Sequence, residues 1–326
     1  MFRITLKNYR CFSDSQPAVI DLDGGFTAFI GTNNSGKSSY LRFFQEFRNF
    51  FQQLQGNIVP RSISFTLLHV EDWLEIFHNQ NQRGITIEIA CTNSLPGWVD
   101  HLSITLDRTK NGHAFVEVWV RLESGIVDRV DSHQSLSQFV YKGRIVTGRA
   151  EEFNKLVNVI ANSFYVGPFR NAISEGSGSY YDISIGTTFI SQWDQWKTGI
   201  SRQQNESVQK ITNDIEHIFD FSRLEINASP DKKAIQLIIN GKPYRLRELG
   251  AGLAQFIIVF GNVATRRPAL LLIDEPELNL HPSLQIDFLT SLASYASYGV
   301  MFASHSVGLA RAISDRIFTF QKIKGS

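Results

Sequence analysis

The sequence predicts an α/β fold with a parallel sheet at its centre, an antiparallel β subdomain and a small helical insertion. Three observations predict it. A glycine-rich stretch, GTNNSGKSS (31–39), lies between a short apolar strand and a helix with an apolar stripe. Two uninterrupted apolar runs, 269–273 and GVMFAS (299–304), read as strands buried on both faces, as parallel strands are. Between these regions run several period-two segments separated by turn residues, the pattern of an antiparallel meander.

The elements follow in order. At the N-terminus Phe2, Ile4 and Leu6 alternate with Arg3, Thr5 and Lys7, which predicts a strand with one buried face. FTAFIG (26–31) is a second strand and runs into the glycine-rich loop. Leu41, Phe44, Phe47 and Phe51 then recur at helical spacing, predicting one long helix. GITIEIACT, HLSITLDRT and HAFVEVWVRLE form the meander, with turns at Pro96-Gly97 and Asn111-Gly112. AEEFNKLVNVIANSF (150–164) is a helix, and YVGPFR (165–170) a short strand closed by Pro168. From Ile173 to Gly199 the abundance of Gly, Ser and Thr predicts a long ordered loop, with Trp193 and Trp196 on a contact surface or packed on their own domain. Val208, Ile211, Ile215 and Ile218 make a helical stripe. Asn240-Gly241 marks a hairpin turn of the type that needs two left-handed residues. The last third reads helix 251–265, strand 269–274, helix 282–296, strand 299–303, then a helix and a strand.

Composition excludes several classes. The chain has 326 residues, 43% hydrophobic and 19% charged, enough for a core and too little charge for disorder. A net charge of +1 gives no footprint of a strongly basic nucleic-acid binder, although Lys142, Arg144 and Arg149 cluster locally. The two cysteines, Cys11 and Cys91, form neither a disulfide framework nor a metal-ligand spacing, which points to a reducing compartment. No signal peptide or membrane span is read, so the expectation is a soluble, cytoplasmic protein without a membrane partner.

The chemistry concentrates in four stretches. Gly31 to Ser38 fits G-x-x-x-x-G-K-[ST] in the strand–loop–helix context this motif requires. Backbone N–H groups of Gly31, Thr32, Asn33, Asn34, Ser35 and Gly36 would cradle phosphates at a helix N-terminus, with Ser39 just behind. Lys37 would reach the terminal phosphates and Ser38 would ligate Mg²⁺. In PALLLIDEPELNLHP, Asp274 stands at the carboxyl end of a buried strand, where ligands of parallel sheets bind. It would hold Mg²⁺ through water. Glu275, the next residue, is placed to orient or deprotonate an attacking water. In GVMFASHS, His305 ends a strand and would contact a terminal phosphate. In LGAGLAQ, Gly250, Ala251 and Gly252 open a helix, and Gln255 lies one turn further on.

Taken together and in this order, ITLKNYRCF, GTNNSGKSS, YVGPFR, ELGAGLAQ, LLLIDEPELNLHP and ASHS resemble the ABC-type ATPases, in the branch of the SMC proteins, RecF, RecN and the OLD-like ATPases. The resemblance covers nearly the whole chain. It implies a P-loop NTPase fold of the ABC-type ATPase head, taken as a single domain over 1–326, with a first lobe 1–170, a loop-rich and helical insertion 171–222 and a second lobe 223–326. It implies ATP and Mg²⁺ as cofactors and ATP hydrolysis as the activity. It also implies a homodimer, or a higher oligomer of dimers, in which Gly250, Ala251 and Gly252 of one subunit face the γ-phosphate held by the other. Small residues there permit close backbone approach. Ala251 departs from the pattern, since a serine is common at that position. Asn279 and His281 fall in a segment resembling the loop that crosses the dimer interface; His281 with Pro282 also reads as an ordinary helix start. Arg10 reaches the nucleotide or pairs with a carboxylate. Arg170 lies near the active site or near nucleic acid.

No sustained heptads and no long coiled coil appear, and 21 residues follow His305, so the expectation is either a bare head or a piece of a longer chain cut at the domain edge. Such heads resemble the ATPase subunits of anti-phage systems such as Septu, retron-associated and OLD-like modules, which work with a separate nuclease or toxin. The alternative is a RecF-like repair ATPase that clamps DNA. The motif set is unlike that of transporter motors.

Overall fold

The computed structural model describes residues 1–55, 59–68, 70, 72–92, 98–108, 113–122, 127–130, 134, 136, 138–141, 144–147, 150–168, 177–278 and 280–321. The strands in chain order are β1 (Phe2–Lys7), β2 (Ala18–Leu22), β3 (Gly25–Gly31), β4 (Ser62–Ser64), β5 (Ile85–Cys91), β6 (Val99–Leu106), β7 (His113–Leu122), β8 (Val127–Arg129), β9 (Gln138–Tyr141), β10 (Arg144–Thr147), β11 (Ser163–Val166), β12 (Ser177–Tyr180), β13 (Ile183–Ile185), β14 (Leu224–Ala228), β15 (Ile235–Ile239), β16 (Lys242–Arg245), β17 (Leu270–Asp274), β18 (Gly299–Ser304) and β19 (Arg316–Phe320). The helices are α1 (Lys37–Glu46), α2 (Arg48–Gln55), α3 (Glu151–Ala161), α4 (Gly186–Thr198), α5 (Arg202–Ile218), α6 (Ala251–Arg266), α7 (Pro282–Ala293) and α8 (Val307–Ile313). They divide into two compact units, one formed by 1–24, 32–163 and 320–326, the other by 25–31 and 164–319.

The first unit is built on an antiparallel sheet in the order β2-β1-β5-β6-β7-β4, with β8 added to β7. Its register follows the period-two pattern: Ile87 lies opposite both Leu6 and Ile104, and Ile104 opposite Val118, so apolar side chains line one face across four strands. The turns read at Pro96-Gly97 and Asn111-Gly112 lie outside the described residues, as do Lys142, Arg149, Arg170 and Asn279. The long helix expected after the glycine-rich loop is interrupted at Phe47, whose ψ of 1° leaves the helical region. Amide bonding still crosses the break, from Phe47 N to Phe43 O and from Phe51 N to Phe47 O. Phe43, Phe44, Phe47, Phe50 and Phe51 are all buried, with Phe43 and Phe47 in contact at 5.1 Å between ring centroids.

The second unit holds a five-stranded sheet in the order β11-β17-β18-β3-β19. β17, β18 and β3 are mutually parallel, with Asp274 opposite Ala303 and Ser304 opposite Ile30. Their carboxyl ends therefore lie along one edge, where Asp274, Ser304-His305 and Gly31 terminate three adjacent strands. Leu270 to Asp274 are buried throughout, which accounts for the uninterrupted apolar run. α6 is likewise buried from Leu253 to Ala264, and each large apolar side chain so placed contributes about 1.5–3 kcal/mol.

The loop expected over 173–199 is corrected for its described part. Residues 177–185 form the β12–β13 hairpin and 186–198 form α4. Phe189, Ile190, Trp193 and Trp196 are spaced as one helical stripe and are buried, hidden within a polar Ser/Gln/Thr composition. Trp193 is fully buried and its indole N–H donates to Ile226 O at 3.2 Å, so this tryptophan is core and not a contact surface. The hairpin at Asn240-Gly241 has both residues at positive φ, 51° and 80°.

Candidate active site

The glycine-rich loop is shaped by three backbone positions that favour glycine or asparagine: Gly31 at φ 151°, Asn34 at 58° and Gly36 at 103°. Gly36 caps α1 without any side-chain hydrogen bond, as a glycine must, and the loop amides stand at a helix N-terminus, where anions bind. Lys37 is buried at 5% exposure and donates to Thr32 O at 2.9 Å, turning its ammonium back over the loop. Ser35 Oγ is buried with no hydrogen-bond partner among the described residues. Amides without side-chain caps, an inward lysine and an orphaned hydroxyl are the donor set a polyphosphate requires, and the loop fits that group.

The NYRCF stretch forms the back of this loop. A Cβ placed on Gly36 would lie 2.8 Å from the Phe12 ring and 2.9 Å from Cys11 Sγ, so the loop packs directly against those two residues. Arg10, itself at φ 51°, bonds the Glu46 carboxylate at the far end of α1, and Tyr9 OH donates to the same carboxylate at 2.6 Å. Burial pushes the Glu46 carboxyl above its ordinary range, opposed by the Arg10 charge; burial and Glu46 together push the Tyr9 phenol up. Of the two roles read for Arg10, the structure places it on a carboxylate. It braces the helix whose first turn is the phosphate loop.

The acidic strand end lies in the second unit. Asp274 is buried at 3% exposure and its Oδ2 accepts from Tyr165 OH at 3.1 Å. Tyr165 is fully buried; its amide donates to Asp182 Oδ2 at 2.7 Å and its ring meets Tyr181 edge-on at 4.9 Å. Glu275 adopts φ 54°, a conformation that costs a non-glycine residue about 1–3 kcal/mol. Its amide donates to Ala303 O at 2.8 Å, which ties it to the end of β18. His305 Nε2 stands 3.7 Å from Glu275 Oε1, longer than a hydrogen bond. Glu277 Oε1 accepts from the His305 amide at 2.8 Å. The structure thus brings Asp274, Glu275 and His305 to one strand edge.

Two residues of this arrangement carry no role in the sequence reading, Tyr165 and Glu277. Tyr165 belongs to the quoted YVGPFR, and Glu277 follows Asp274 by three residues. Nothing in the spacing says that a phenol from another strand should reach a strand-end carboxylate.

The signature stretch opens α6 with Gly250 as N-cap, at φ −59° and ψ 148°, and no side-chain cap. Any residue adopts that backbone conformation, and a Cβ on Gly250 would meet nothing within 4 Å. Gly250 and Ala251 are exposed and Gly252 half-buried. Gln255 lies behind them at 2% exposure, with Oε1 lacking a partner among the described residues. His281 caps α7 through Ser283 N at 3.4 Å, with Pro282 at the first helical position, which is the helix-start reading.

The chain thus carries both the strand–loop–helix of a phosphate-binding motif and, in its second unit, a parallel sheet with Asp274-Glu275 at a strand end. This is the fold of a P-loop ATPase head. Residues 1–162 match the model of a family described as an AAA ATPase domain, which supports ATP binding and hydrolysis. No curated protein matches the chain in sequence. Among solved structures the chain is similar to the SMC head domain from Thermotoga maritima, at 14% identity over 97% of this chain and 93% of that one, with a TM-score of 0.43. It is similar to an Smc head bound to the C-winged helix domain of ScpA, at 16% identity over 97% and 92%, TM-score 0.47. It is also similar to an Smc head with an extended coiled coil bound to the C-terminal domain of ScpA, derived from Pyrococcus furiosus, at 12% identity over 98% and 93%, TM-score 0.46. Among the described residues no helix is long and apolar enough to cross a membrane.

Proposed function

We propose that this ATPase head dimerises around ATP and governs a separate effector, a nuclease or toxin, in anti-phage defence. The observation that carries the dimer is Gly250. A glycine that neither its own backbone angles nor its own neighbours require is explained by a close approach from outside the protomer. The effector role rests on the resemblance of the motif order to that of stand-alone ATPase subunits of defence systems.

In this reading the loop amides of 31–36 and the Lys37 ammonium hold the β- and γ-phosphates, with Ser39 behind them. Mg²⁺, when bound, neutralises phosphate charge; Ser38 and Asp274 would hold it together with the phosphates and water, the ligand set this ion favours. Glu275 orients the attacking water and accepts its proton. His305, fixed through its amide by Glu277, faces the γ-phosphate and registers its loss. The N–H groups opening α6, at Ala251 and Gly252, close over the γ-phosphate of the partner copy. Because Ala251 offers no hydroxyl, that closure relies on backbone donors alone.

The test is Glu275→Gln. Turnover should fall by about 10²–10⁴-fold, the range for losing a general base, while nucleotide binding persists. Light scattering should then show a dimer in ATP and a monomer without it. Parental turnover in the variant would remove Glu275 from this role, and a monomer saturated with ATP would remove the dimer. Recovery of a nuclease encoded beside this gene in a stoichiometric complex with the purified chain would support the effector arm. Salt-sensitive DNA binding by the chain alone would move the reading to a repair clamp.

A further inference from the structure

A cavity of about 730 Å³ opens against the first two turns of α6, wholly within the second unit. It does not belong to the strand edge that carries Asp274 and Glu275. Its floor is apolar: Phe189 and Ile190 from α4 and Ile258 from α6 are buried beneath it. Its rim is basic. Lys233, from the turn before β15, and Arg245 and Arg247, from the end of β16 and the segment after it, line the opening and are exposed. None of the three takes part in an ion pair among the described residues. Asp231 is the lining carboxylate, and it is already engaged, accepting from Ser229 Oγ at 2.6 Å and from Lys233 N at 3.2 Å.

We propose that this groove is the docking site for an acidic, amphipathic peptide segment of a partner protein. The chemistry selects the occupant. The size lies within the range of ligand-binding pockets, about 300–1,000 Å³. An apolar floor asks for aliphatic or aromatic anchors, which a nucleic-acid backbone does not offer. Three exposed cations, one before β15, one at the end of β16 and one just after it, ask for several separated negative charges, which a single phosphate does not supply. A peptide with apolar side chains facing inward and Asp or Glu along its margin satisfies both.

The experiment uses the full chain without nucleotide, so its outcome is independent of the ATPase reading. A fluorescein-labelled peptide of Leu and Phe alternating with Asp and Glu is titrated by anisotropy. Two control peptides carry Lys in place of the acids or Ser in place of the apolar residues. The acidic amphipathic peptide should bind at least tenfold tighter than either control. The variant Lys233→Glu/Arg245→Glu/Arg247→Glu should lose at least tenfold in affinity, and hydrogen exchange should slow on binding in 186–190 and 251–258. Arg247→Glu alone carries the test should the triple variant melt early. Equal binding of the three peptides, undiminished binding by the variant, or displacement of the peptide by an equimolar single-stranded oligonucleotide would each overturn the proposal. So would a lack of binding at millimolar peptide.

Discussion

Gly36 and Gly250 each stand at the start of a helix proposed to meet a nucleotide, yet their surroundings are opposite. At Gly36 the chain itself makes the demand. The backbone sits at φ 103°, and Phe12 and Cys11 fill the space a Cβ would take. At Gly250 the backbone is ordinary and the surroundings are open. One glycine is a product of internal packing, so its cost of replacement falls on folding. The other meets nothing within its own protomer, and under the proposed dimer its cost of replacement falls on assembly. A glycine-rich motif is therefore not one kind of feature, and steric surroundings separate the kinds.

The comparison is broken most directly at Gly36. Gly36→Ala should destabilise the chain by about 2–5 kcal/mol, combining a left-handed penalty with overpacking against Phe12 and Cys11. Nucleotide binding should be lost with it. Urea unfolding and a labelled-ATP titration check both, and a variant that melts and binds like the parent would show that the loop relaxes around the new methyl.

The body of α6 should be nearly as sensitive, in contrast to its exposed start. Asn262 is fully buried and links α6 to β13, accepting from Ser184 N at 2.9 Å and donating to Ser184 O at 3.1 Å and Ile258 O at 2.9 Å. Asn262→Ala strands the Ser184 amide and carbonyl, and a loss of about 2–4 kcal/mol follows. Thermal unfolding that moves by less than a degree would mean that water replaces the side chain.

Much of this was legible before any coordinates. The phosphate loop, the buried strand before Asp274 and the meander announce themselves because each rests on local chemistry: a glycine that must turn, a strand covered on both faces, an alternation of one-sided burial. α4 was not legible, because its apolar stripe is diluted by Ser, Gln and Thr, and helix and loop then look alike by composition. The Tyr165–Asp274 contact was not legible either, since the partners are separated by 109 residues and only the order of the sheet brings β11 beside β17. The pairing of Arg10 with Glu46 was half legible: a carboxylate partner was one reading, but which carboxylate depends on the turn made by the two left-handed residues Asn8 and Arg10.

Tyr165 offers a smaller perturbation within the same framework. Tyr165→Phe removes a buried donor from Asp274, a bond to a carboxylate worth about 1.5–3 kcal/mol. Because the ring and its contact with Tyr181 are retained, the fold should survive with a modest drop in melting temperature. A purely structural tyrosine would change nothing else. As a positioning residue for Asp274 it should also raise the Mg²⁺ concentration needed for half-maximal turnover and for Mg²⁺-dependent tightening of ATP binding, with metal-free ATP affinity unchanged. An unshifted Mg²⁺ dependence assigns Tyr165 to packing alone.

Gly250→Ala gives the least effect on the protomer and so sharpens the comparison furthest. Alanine is a poorer helix cap than glycine, but at φ −59° it restricts the unfolded chain, and these two small terms oppose each other. Stability should stay within about 0.5 kcal/mol of the parent, as for surface changes that touch nothing. The same methyl in a tight interface between two copies has no room to escape. Dimer formation in ATP with the Glu275→Gln background should therefore weaken at least tenfold, and Gly250→Leu should abolish it. If instead the dimer forms unchanged with leucine at this position, the open space beside Gly250 is ordinary surface, and the asymmetry between the two glycines loses its functional meaning.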